Sequence, residues 1–203
     1  MKTAISGLIG MKIFPLAFAL SLCSIAARAA DEFTFTRHPD SLSVFFDGKP
    51  VGDYVFVNEK IPRPFFTRLC ASDRTQVTRN HPPVAGVDAL DHGTMHPGLC
   101  LAFGDLNGVD FWRNRGRIKH FRFTKEPVVT EGRLKFAVEE QYLAPNGTEV
   151  CRGNNVFCFV DGKTLQPPQS GTLLMWNTTL KSDDRPLEFG PQHEMGLAFR
   201  VET

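Results

Sequence analysis

The stretch from Gly132 to Lys163, GRLKFAVEEQYLAPNGTEVCRGNNVFCFVDGK, reads as strand, turn, strand. Two β-rich runs flank Asn146-Gly147, and a second turn signal, Asp161-Gly162, closes the unit. Asn-Gly and Asp-Gly mark tight turns because both residues of each pair tolerate the positive φ that hairpins demand.

The same pattern extends outward in both directions. In SLSVFFDGKPVGDYVFV, residues 41–57, Asp47-Gly48 separates two further runs. RPFFTRLC, residues 63–70, is a third run, and Pro62 and Pro64 mark an edge or a strand start. Ser72 to His92 is polar and rich in Pro and Gly, which reads as a long loop. GLCLAF follows, closed by GDLNG as a turn. In GRIKHFRFTKE, Ile118, His120 and Arg122 alternate with Lys119, Phe121 and Phe123; GTLLMWNTTLKS and MGLAFRVET supply two more strands. Outside the first residues no apolar helical period runs for three turns. Strands at this spacing predict an all-β fold, an antiparallel sandwich or barrel. The chain stops at Val201-Glu202-Thr203 within a strand-like run, so the domain is expected to be incomplete at its C-terminus.

The N-terminus predicts export. Lys2 and Lys12 precede an apolar run from Ile13 to Ala27, and Ala27-Arg28-Ala29 forms a small-x-small cleavage site. The run is too short for a membrane span and contains Pro15. A signal peptide over 1–29 and one domain over 30–203 follow, with a periplasmic or secreted location. Losing residues 1–29 leaves 20 basic against 22 acidic residues, a nearly neutral chain. That balance argues against a nucleic-acid partner, and no basic amphipathic stretch argues for a membrane surface after cleavage.

Cys70, Cys100, Cys151 and Cys158 remain. Three pairings are open to them, among them a bridge between Cys151 and Cys158. Cys100 and Cys158 lie inside LCLAF and VFCFV, where a thiol packs as a small hydrophobe, so mostly free, buried cysteines are expected.

His92 and His96 raise the question of a metal. A pair four apart serves zinc on a helix, but Gly93 and Pro97 flank it here and no Glu follows His92. No metal and no cofactor are expected. A polar cleft uses more of the chain: Arg79 and Asn80 end TQVTRN, Asp91, His92 and His96 enter the apolar strand, and Asp105, Asn107 and Asp110 leave it before Phe111-Trp112. GPQHEMG places His193 and Glu194 before another strand. Planar polar groups beside aromatics suit a carbohydrate or a similar small polar ligand. On this reading His96 serves as acid and Glu194 as base, while Arg79, Asn80, His92, Asp110, Trp112 and His193 bind substrate. Turn chemistry competes for Asn107 and Gly108, and core packing competes for Trp112 and Trp176.

VTRN (77–80), DH (91–92), HPGLCLAFGDLNGVDFW (96–112), GRIKH (116–120), GTLLMWNTTL (171–180) and FGPQHEMGLAFRV (189–201) occur in that order. Together they resemble an exported bacterial family that carries the label methane oxygenase PmoA, and the similarity runs from about Phe45 to the last residue. The resemblance implies a galactose-mutarotase-like supersandwich that continues past Thr203. Many members have a tighter histidine cluster where this chain has DHGTMHPG, with Met95 in place of a polar group. The methane monooxygenase subunit of the same name is an integral membrane protein, so methane oxidation is not expected of this chain. A carbohydrate-active protein comes first, a non-catalytic carbohydrate-binding module second and a metal-dependent oxygenase third.

Overall fold

The computed structural model describes residues 32–192 and 195–201. The proposed signal peptide, His193 and Glu194 therefore lie outside the described residues. Ten strands follow in order: β1 (Phe33–Arg37), β2 (Ser41–Phe46), β3 (Lys49–Val55), β4 (Phe65–Thr67), β5 (Leu99–Ala102), β6 (Arg117–Thr130), β7 (Arg133–Leu143), β8 (Glu149–Asp161), β9 (Thr172–Lys181) and β10 (Gly196–Phe199). A single 3-10 turn, Gly162–Thr164, is the one helical element among the described residues.

The strands form two antiparallel sheets, one of six in the order β1-β2-β3-β4-β5-β10 and one of four in the order β6-β7-β8-β9. Their apolar faces meet as a β-sandwich. Leu42, Val44, Tyr54 and Phe66 of the larger sheet pack on Leu134, Phe136, Val138, Phe157 and Phe159 of the smaller. The Tyr54 ring lies 5.1 Å from Phe157 and 5.5 Å from Phe136. A second cluster, containing Phe65, Cys100, Leu106, Phe111, Trp112, Tyr142 and Val150, fills one end.

Turn chemistry fixes the registers. Asp47 and Gly48 both have positive φ, 51° and 68°, so β2 and β3 join through the tight turn expected of Asp-Gly. Gly147 has φ 84° between β7 and β8, and Asn146 accepts a bond from Thr148 N at 3.0 Å. Asp161 ends β8 by capping the 3-10 turn rather than by closing a two-residue hairpin. Glu131-Gly132, with φ 53° and 67°, turns β6 into β7.

β6 departs from the expected alternation. Bulges between His120 and Arg122 and again near Lys125 shift its side chains. His120 and Phe123 consequently lie together, 4.9 Å apart, while Phe121 is exposed. Pro127 is accommodated because β6 is an edge strand with its last bulge there. The four cysteines among the described residues, Cys70, Cys100, Cys151 and Cys158, are free. Cys151 and Cys158 both sit on β8, roughly 23 Å apart along an extended strand, which rules out a bridge between them.

Candidate functional site

Two buried arginines build the region around His92 and His96. Arg79 follows Thr78, which pairs with Val201, and Arg79 N donates to Arg200 O at 3.1 Å, so this segment lies against the chain leaving β10. Its guanidinium is 1% exposed and reaches into the turn ahead of β5. It donates to the carbonyls of Ala89 at 2.8 Å, Asp91 at 2.7 Å and His96 at 2.7 Å. Arg63 is also buried, and it donates to Met95 O at 2.7 Å, Trp112 O at 3.0 Å and Phe111 O at 3.1 Å. The planar guanidinium fork is suited to gathering several carbonyls at once. The two arginines thus tie the 89–96 turn to the 111–112 turn.

The turn itself is tight. His92 has φ 50°, and its carbonyl accepts from Met95 N and His96 N at 2.9 Å. Gly98 leads out of it with φ 155°; a Cβ there would stand 2.2 Å from Phe66 O. Asn114 Nδ2 donates to Thr94 O at 3.0 Å and adds a third tie.

On this base sits a row of rings. His92 and His96 lie 5.5 Å apart, and His96 lies 5.4 Å from Trp112, both edge to face. His92 Nδ1 is 2.8 Å from Asp91 Oδ2, an arrangement in which Nδ1 carries a proton and donates it to the carboxylate. Arg200 donates to the other oxygen of Asp91. The His92 bond, with Arg200 beside it, holds the Asp91 carboxyl below its ordinary range. Asp91 and His92 are exposed, and His96 is half-buried.

Other expected ligand residues are bonded or packed within the protein. Arg79 spends its Nη donors on loop carbonyls and has no exposed surface with which to orient a substrate oxygen. Asn80 donates to Asp88 Oδ2 at 3.0 Å and accepts from Gln76 at 3.1 Å, closing the 80–88 loop. Asp110 accepts from Arg113 N at 2.9 Å and so shapes the 110–113 turn. Trp112 is 7% exposed; it backs His96 and offers no open face to a sugar. Phe111 packs on Tyr142 at 5.1 Å.

Gln192, which precedes His193, accepts from Arg113 Nη1 at 3.3 Å. Gly196 pairs with Ala102 and Phe199 with Leu99, so the end of β10 beside the His92–His96 turn is its C-terminal end, at Arg200. Arg200 and Arg63 escaped the sequence reading, since each stands in an apolar run with nothing local to single it out. Among the described residues no group of three or more His, Cys, Asp or Glu side chains could hold a metal ion. No helix among them is long and apolar enough to cross a membrane.

The model of DUF6807, a family of unknown function, matches residues 41–203. The chain belongs to that family. No curated protein and no solved structure matches it. The DUF6807 match takes in β2 through β10, and with them both buried arginines, the ring row and Arg200. β1 lies ahead of the matched DUF6807 span, yet Phe33 on it is 1% exposed and packs 4.7 Å from Phe46.

Proposed function

We propose that this protein is exported and binds a carbohydrate at the rim made by Asp91, His92 and His96. The observation that carries the reading is the His92–His96–Trp112 row, seated on turns whose carbonyls Arg79 and Arg63 hold in place. A site held by buried supports recognises hydroxyls without first ordering its own side chains. Asp91 and Arg200 offer planar partners for paired hydroxyls, and the imidazoles offer both ring edges and exchangeable protons.

Proton transfer at a bound sugar is part of the proposal. His96 gives a proton and a second group takes one. Glu194 is the base suggested by the sequence, while His92, held through Nδ1 by Asp91, is the base offered by the described geometry. A galactose-mutarotase-like lineage for the sandwich fits this chemistry by analogy only. The oxygenase activity implied by the PmoA label has no comparable support in the described residues.

Calorimetric titration with a panel of mono- and oligosaccharides tests binding. Heat is expected with at least one sugar, and at least tenfold weaker affinity on His96→Ala; no heat with any sugar overturns the proposal. NMR of anomer exchange then separates enzyme from binding module. Exchange that the protein accelerates, and that His92→Gln slows while binding persists, supports catalysis. Binding without acceleration leaves a binding module.

A further inference from the structure

The outer face of the four-stranded sheet carries a groove of about 600 Å³, remote in sequence from the rim turns. That volume falls within the range of small-molecule sites. It crosses all four strands, from Arg122 and Thr124 on β6 to Thr179 and Lys181 on β9, a breadth of roughly 14 Å at ordinary strand spacing. A single sugar ring would not fill it.

Six of its charged groups are paired with one another. Glu139 accepts from Arg122 Nε at 2.7 Å and from Arg152 Nη1 at 2.8 Å; Arg152 Nε also donates to Glu149 at 2.8 Å. Lys181 Nζ lies 2.6 Å from Asp183. The lining therefore sets Arg122, Arg152 and Lys181 against Glu139, Glu149, Asp183 and Asp184, with no positive excess to draw an anion. The chain of ion pairs sets planar guanidinium and carboxylate groups side by side, and Asn154 adds an amide that accepts from Thr124 at 3.4 Å. At one side stands Phe121, 46% exposed, its ring centroid 5.3 Å from the Arg152 guanidinium and 5.7 Å from that of Arg122. An exposed aromatic ring, steadied by two cations and bordered by planar hydrogen-bonding groups, is the surface a pyranose face and its hydroxyls require.

We infer that this groove is a second binding site, for a neutral oligosaccharide chain. It uses other strands and other residues than the rim, and it binds without proton chemistry. Strand-borne residues position it, which makes it more rigid than a loop site.

Backbone amide NMR of the full chain, titrated separately with cellohexaose, xylohexaose and maltohexaose, tests the inference. At least one hexaose is expected to shift resonances of Arg122, Arg152, Asn154 and Thr179. Phe121→Ala and Asn154→Ala, both at exposed positions, are each expected to weaken that binding tenfold or more with unchanged thermal melting. His96→Ala is expected to leave it untouched. Absence of groove shifts with all three hexaoses overturns the inference, as does binding unaffected by both groove variants. Shifts confined to Asp91–His96 overturn the groove and uphold the rim; shifts confined to the groove do the reverse. Displacement of the hexaose by a sulfated polysaccharide of equal length, bound more tightly at the same residues, overturns the neutral class.

Discussion

Arg79 shows how a polar residue can be decisive without touching a ligand. Its guanidinium holds three carbonyls of the turn that carries both histidines. Arg79→Met removes those donors and is expected to lower stability by about 3 kcal/mol, read as a shift in the denaturant midpoint. Arg79→Lys recovers little, because an ammonium cannot span the same carbonyls. Glu140 is a second such residue. It is fully enclosed between Tyr54, whose hydroxyl is 3.3 Å away, and Asn155, which also accepts from Trp176 Nε1 at 2.9 Å. Burial pushes its carboxyl up to about 7, with partial relief from Asn155 and Tyr54. The folded state thus keeps a proton that the unfolded chain releases near pH 4.3. The stability this contributes is complete below that value and is lost as pH rises through about 7, on the order of 3 kcal/mol in all. His120 acts with the opposite sign: burial, aided by Arg37, lowers it to about 4, so its contribution is present above pH 6.5 and is lost as pH falls through about 4. Glu140→Gln is expected to flatten the alkaline side of a melting-temperature profile between pH 5 and 8, leaving the acid side in place. Glu140 was legible in principle, since alternation puts it on the face of Leu134, Phe136, Val138 and Tyr142. Arg63 and Arg200 were not, because their partners are remote backbone carbonyls and one remote carboxylate.

Strands whose pattern was set by local chemistry were readable, and those reshaped by neighbours were not. β2, β3, β7 and β8 follow from the β-rich runs that flank Asp47-Gly48 and Asn146-Gly147, and β2 also alternates cleanly. β6 defeated the alternation rule because three register shifts answer to its partner β7 rather than to its own sequence. That displacement exposes Phe121 and leaves His120 half-buried against Phe56. Glycines divide in the same way. Gly48 has φ 68° with open space around it, so Gly48→Ala is expected to cost only the strain of that backbone, about 1 kcal/mol. A Cβ on Gly98 would meet the Phe66 carbonyl in the neighbouring strand at 2.2 Å. Gly98→Ala is therefore expected to cost about 3 kcal/mol or more by forcing β4 and β5 apart. Parallel urea denaturation of the two variants checks the contrast.

In the whole molecule, two sheets close on an aromatic core while the loops at one end are drawn together by buried cations. The sandwich was accessible from turn spacing and alternation. The rim was accessible in part: His92 and His96 stand out in the sequence, and they do come together beside Trp112. What could not be read was how β5 and β10 pair, which brings Arg200 rather than the start of β10 to Asp91. That pairing makes the rim a charged, histidine-bearing edge with buried supports, and its use as a sugar site is the central claim. The most direct measurement is a heteronuclear NMR titration with monosaccharides, following the backbone amides of residues 91–96 and the Trp112 indole N–H. The buried, unpartnered Trp112 Nε1 makes that indole a sensitive reporter of any change at His96. Saturable shifts at these positions with at least one sugar, reduced by His96→Ala, are the expected result. A rim that stays silent to every sugar in the panel would contradict the claim.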